Sequence, residues 1–360
     1  LQLSKKIIVD ETSKDRSITV SIPAIRSDVA HFFHWWMCYA VNGRFTMKHV
    51  SFAILLACAC ASNDEPAISD PIAIKEEADR ARQLFDEVFQ SGQYERIPEV
   101  RAALEAVFEK DPTVNDGDVT MLLGVSYLWS TAEWERFPAR GKEARFEEVL
   151  QGDYYLTHAS QLRPSDGRVQ AWLGIMKAFR SQTELDLALY QESLDRIGNS
   201  VELFPEFGHL VVAFVKSAWP AQTTEFAGAV DHIWQNVDVC IQGKIDRTMP
   251  NFEQYMHLSA DTTGNRRACW STPLVPHNLE GFWFHMGDLL VKNNQADVAK
   301  IAYGNAALIP SYANWKYRAE LETRMANVHA NAALYLDDEP KNDPPILPQT
   351  TFQCVLCHAR

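Results

Sequence analysis

From Asp70 to Leu336 the apolar residues recur at three- and four-residue steps, the spacing that gathers them on one face of an α-helix. Ile74, Ala78, Ala81, Phe85 and Val88 form one such stripe. Asp70-Pro71 opens it, with a capping side chain followed by a proline suited to a first turn, and Gly92 stops it. Pro98 opens the next helix, whose inner face carries Val100, Leu104, Val107 and Phe108. Alternating apolar and polar runs joined by hairpin turns are scarce, so the pattern predicts an all-α fold with no sheet.

Apolar runs close on Pro112, Pro164, Pro205 and Pro310, which lie 52, 41 and 105 residues apart, so any repeat is degenerate and carries insertions. The clearest unit has Trp283, Gly287, Leu289 and Leu290 on one segment, Ala299, Tyr303 and Ala306 on the next, and Pro310 after them. It resembles the tetratricopeptide repeat, with Met286 in place of the usual Leu and Leu290 in place of the usual Tyr. Leu123-Gly124-Val125-Ser126-Tyr127 and Trp172-Leu173-Gly174 repeat parts of it. The resemblance implies an array of helical hairpins, or a helical bundle, over residues 62–336, with a concave side able to bind another polypeptide. On packing grounds alone, the same Trp, Gly, Ala and Tyr residues serve helix contact and touch no ligand.

Met47-Lys48-His49 followed by the short apolar run Val50 to Ala61 has the parts of a secretory signal and is too short to span a bilayer. Leu55-Leu56-Ala57-Cys58 resembles the lipobox of bacterial lipoproteins, which implies lipidation of Cys58 and a periplasmic or cell-envelope location. Cleavage after Ala59-Cys60-Ala61 would release a soluble exported chain instead. Residues 47–61 are thus assigned to the signal, and residues 1–46, with their aperiodic His31-Phe32-Phe33-His34-Trp35-Trp36, to a spurious upstream extension.

The composition changes after Leu336. Asp337-Asp338-Glu339-Pro340 and Asn342-Asp343-Pro344-Pro345 break helices, and residues 337–360 read as a linker and an irregular tail ending in Cys354-Val355-Leu356-Cys357-His358. C-x-x-C-H is the spacing of a c-type haem attachment site: two thiols one turn apart can each add to a haem vinyl group, and the adjoining imidazole can sit beneath the iron. This predicts one covalent haem c on Cys354 and Cys357, with His358 as proximal ligand. Three readings compete: a thioredoxin-type pair, for which no βαβ pattern is found; zinc, for which no second cysteine pair is found; and a disulfide.

A sixth iron ligand must come from upstream, from another subunit or from water. Met325 and His329 are candidates at i, i+4 spacing, as are His277, His285 and Met286, although each alone reads as an ordinary helix or core residue. Cys240 and Cys269 remain as a pair able to close a disulfide in an oxidising compartment.

Charge narrows the partners. The net charge is −13, and residues 1–57 carry seven basic and four acidic residues, so the remainder stands at −16. Such a surface repels phosphate backbones and disfavours nucleic acid. No spacing of His, Arg and carboxylates marks a catalytic site, so a carrier or binding protein is expected rather than an enzyme. The first expectation is an exported c-type haem protein that transfers electrons, its haem exposed on the tail and its helices docking a protein redox partner or a membrane-associated complex. The alternative is a tetratricopeptide-like interaction scaffold whose C-terminal cysteines form a disulfide or redox site.

Overall fold

The computed structural model describes residues 70–134, 140–272, 274–275, 277–337, 339, 341–347 and 354–358. The signal-like segment, Cys58 and the upstream extension lie outside the described residues. No described helix is long and apolar enough to cross a membrane.

The described residues form an all-α body whose successive helices pack in pairs. Helix α1 (Pro71–Gln90) begins where the sequence predicts, because the Asp70 side chain accepts the Ile72 amide at 2.9 Å. It buries Ile74, Ala78, Ala81, Phe85 and Val88, the predicted stripe. α2 (Ile97–Phe108) packs on it. The pairs α3 (Val114–Ala132) with α4 (Lys142–Leu162), α5 (Gly167–Glu184) with α6 (Leu187–Leu203), α7 (Pro205–Lys216) with α8 (Thr224–Ile241), and α9 (Leu279–Lys292) with α10 (Ala296–Asn305) follow. Asp166, Asp186, Thr223 and Asn278 each cap a helix with a side-chain oxygen, satisfying amides that have no partner within the helix. Pro205 both follows the end of α6 and supplies the first turn of α7.

The repeat-like glycines sit where the hairpins close. A Cβ on Gly174 would lie 2.6 Å from Ile197 of α6, and one on Gly287 would lie 2.3 Å from the Tyr303 ring of α10. Trp283 and Tyr303 are buried in the core, in agreement with a packing role.

Cys240 at the end of α8 and Cys269 in the loop before α9 form a disulfide, with their Cα atoms 5.9 Å apart and a sequence separation of 29. Closing a loop of that size restricts the unfolded chain by about 3–4 kcal/mol on the chain-entropy argument. Replacing both residues with serine is expected to remove that amount from the unfolding free energy, read as a lower denaturant midpoint in non-reducing buffer. An unchanged midpoint would contradict it.

After α11 (Arg318–Ala326) and α12 (Val328–Leu334) the described residues 335–337, 339 and 341–347 are non-helical, in keeping with the prolines, yet they are strapped to the body. Arg324 donates to the carbonyls of Pro345 at 2.7 Å and Leu347 at 3.0 Å, and the Leu347 amide donates to Asp288 at 2.8 Å. Tyr335 donates to the Pro344 carbonyl at 2.5 Å. Ile346 and Leu347 are buried. The strap leads toward a one-turn helix, α13 (Val355–His358), which packs against α9.

Candidate functional site

A cavity enclosing about 1040 Å³ of empty space, solvent at its mouth included, lies among α1, α3, α5, α7 and the α13 turn. Phe85, Phe89, Met121, Trp129, Phe207 and Phe214 wall it. Arg82 and Asp86, each nearly half exposed, stand at its α1 side and mark the mouth, and Arg168 lines it while paired to Asp166 at 2.7 Å. Cys354, Cys357, His358 and His277 complete the lining. The structure therefore brings all three C-x-x-C-H side chains to one cavity.

The turn that carries them is held from two sides. On the α3 side, one Glu133 carboxylate oxygen accepts the amides of Cys354 at 2.6 Å and Val355 at 2.9 Å. On the α9 side, the Asn278 amide donates to the Cys357 carbonyl at 2.8 Å, and its side chain donates to the Leu356 carbonyl at 3.4 Å. The Asn278 oxygen meanwhile caps α9 by accepting the Gly281 amide at 2.7 Å. Gly281 must stay without a side chain, since a Cβ there would lie 2.8 Å from the Leu356 carbonyl oxygen and 2.9 Å from the Cys357 Cα. Cys357 and Cys354 close the turn through the Cys357 amide, which donates to the Cys354 carbonyl at 3.1 Å.

The environment keeps both thiols protonated. Burial pushes Cys357 up to about 12, with the Glu280 carboxylate adding to it. Burial likewise raises Cys354 well above its ordinary value, and the charge of Glu133 and the neighbouring Cys357 raise it further. Thiols in this state are weak nucleophiles until the pocket opens. The His358 ring, 2% exposed, packs against Phe89 at 3.9 Å and edge-on against His277 at 4.9 Å between ring centres.

Of the other imidazoles and thioethers singled out from sequence, only His277 reaches the cavity lining. His285 and Met286 are buried in α9, with His285 stacked on Phe214 at 4.0 Å. Met325 and His329 do not share a continuous helix: Asn327 separates α11 from α12, and exposed His329 lies 3.4 Å from Asp297.

These findings correct the expectation of a c-type haem electron carrier, and with it the haem, cytochrome and metal-binding descriptions. Among the described residues no group of three or more His, Cys, Asp and Glu side chains gathers to hold a metal ion. Two imidazoles sharing one iron stand about 6 Å apart between ring centres, from metal–nitrogen bonds of about 2 Å. In this arrangement the His277 and His358 rings are closer than that, at 4.9 Å between centres. The turn does not stand free of the body: Val355, Leu356, Cys357 and His358 are buried, and Cys354 is partly buried. Cys354 and Cys357 are free thiols, and the disulfide lies elsewhere, at Cys240–Cys269.

Sequence reasoning missed Glu133 and the aromatic walls. Asn278 carried a local signal, as a capping residue before an apolar helix; Glu133 carried none. Neither a family model, a curated protein nor a solved structure matches this chain.

Proposed function

We propose that the chain is an exported, tetratricopeptide-like scaffold that binds a protein partner and carries, in its C-terminal turn, a sheltered thiol pair that closes into a disulfide. The observation that carries this reading is the placement of Cys354 and Cys357 on one turn, both on the lining of the same cavity. Side chains three residues apart on a turn have Cβ atoms about 5–6 Å apart, and a disulfide needs about 3.5–4.5 Å, so a small tightening of the turn suffices. The paired helices and close-packed glycines support the hairpin reading. The Cys240–Cys269 bond supports export, since such bonds persist in oxidising compartments.

Closure is a thiol–disulfide exchange. Each cysteine gives up one proton, the pair gives two electrons, and their S–S bond forms. An acceptor disulfide takes both protons and both electrons and is cleaved to two thiols. The raised thiol pKa values make this exchange slow while the turn is docked, which suits a latch more than a rapid catalyst.

The test uses chain recovered from the cell envelope, incubated with oxidised glutathione, denatured and treated with iodoacetamide. The C-terminal peptide is expected to lack both alkyl groups that it carries after reduction and to carry no glutathione, whereas in Cys354→Ser the Cys357 thiol should be alkylated or hold one glutathione as a mixed disulfide. Alkylation of both thiols despite the oxidant would overturn the reading. A covalent porphyrin-type absorption on that peptide would overturn it too, and chain confined to the cytosol would remove export from it.

A further inference from the structure

We propose that Glu133 is the positioning residue of the thiol site, acting with Asn278 as a two-sided clasp that seats the Cys354–His358 turn in the cavity wall. The inference rests on the reading of that turn as a thiol site, but the clasp itself is a matter of geometry. Glu133 is fully buried and lies 221 residues before Cys354, yet a single carboxylate oxygen accepts two successive amides at the start of the turn. At the far end of the turn the carbonyls of Leu356 and Cys357 accept from Asn278. The polar backbone at both ends of a buried turn is thereby satisfied by two helices that the chain makes long before it.

Two features tie this clasp to the thiols rather than to the body alone. The amides that Glu133 accepts belong to Cys354 itself and its neighbour, so moving the carboxylate moves the first sulfur. The contact of Gly281 with Leu356 and Cys357 leaves no slack on the opposite side, so the turn cannot slide toward α9 when the Glu133 side is released. Release on the Glu133 side therefore favours movement away from α9. Glutamine at position 133 retains a carbonyl oxygen able to accept both amides; alanine retains nothing.

The experiment is residue-resolved amide hydrogen exchange on the full chain, paired with alkylation of Cys357, whose environment includes Glu280. In Glu133→Ala the Cys357 and His358 amides should exchange, and Cys357 should alkylate, at least about ten times faster, since losing an acceptor that serves two amides costs at least about 1.4 kcal/mol. In Glu133→Gln both rates should stay within about threefold of wild type, and amides of α5 and α6 should not change in either variant. Equal acceleration in the two variants would assign the effect to charge and overturn the clasp, as would no acceleration in Glu133→Ala. If the alanine variant does not fold, wild type decides: the Cys354 and Val355 amides must be protected at least about a hundredfold, and exchange at the rate of an open chain overturns the proposal. A thiol pair that never closes would defeat the proposed function and leave these exchange results intact.

Discussion

Arg324→Ala is expected to lower the unfolding free energy by about 3–5 kcal/mol, the cost of breaking one side of a buried ion pair. The Arg324 guanidinium lies 2.8 Å from Asp288, and both side chains are almost fully buried. It also donates to the carbonyls of Pro345 and Leu347, while Asp288 accepts from the Leu347 amide and the Tyr303 hydroxyl. Burial already pushes the Asp288 carboxyl above its usual range, with Arg324 opposing the shift. Without the guanidinium the carboxylate must take a proton or remain charged and unpaired, and two strap carbonyls lose their donor. Equilibrium denaturation reads the effect, and a loss below about 1 kcal/mol would refute this account of the strap. Pairing Arg324→Met with Asp288→Leu should recover part of the loss, because no buried charge is then left alone.

The second large effect is acid weakening through His285 and His277. Burial lowers His285 to about 3 and His277 to about 4, from an ordinary 6.5. The sign follows from which state binds protons. Below about pH 6.5 the unfolded chain protonates both rings while the folded chain keeps them neutral, so stability falls as pH drops toward 4. At pH 5 each ring costs about 2 kcal/mol, or about 4 kcal/mol together. His285→Phe, which keeps a ring against Phe214, should remove about half of that pH dependence. A denaturation profile as steep as wild type between pH 6.5 and 5 would sink the assignment.

What the sequence showed and what it hid divide by range. The α1 stripe, its Asp70 cap and the helix-breaking character of the linker are local patterns, decided by a few neighbouring side chains, and they match the described residues. The Pro-rich composition excluded helix over the linker, but it could not say whether a non-helical segment packs. That depended on Arg324 and Asp288, which meet it only in the fold. Met325 and His329 appeared to share a face because a pattern does not register the break at Asn327. Glu133 was invisible for a stronger reason: its partners are two backbone amides, which have no residue identity to leave in a sequence.

The order in which the clasped turn is synthesised has a consequence for when its sulfurs can be reached. Residues 354–358 leave the ribosome after both surfaces they settle between, and joining position 133 to position 354 closes a very long loop, a slow event in folding. The cavity wall is therefore the last part of this body to be completed. Until then the two sulfurs are open to any oxidant, reductant or modifying enzyme in the compartment, and afterwards burial slows their reaction. Oxidation of the pair is therefore fastest during maturation and slower once the turn has docked.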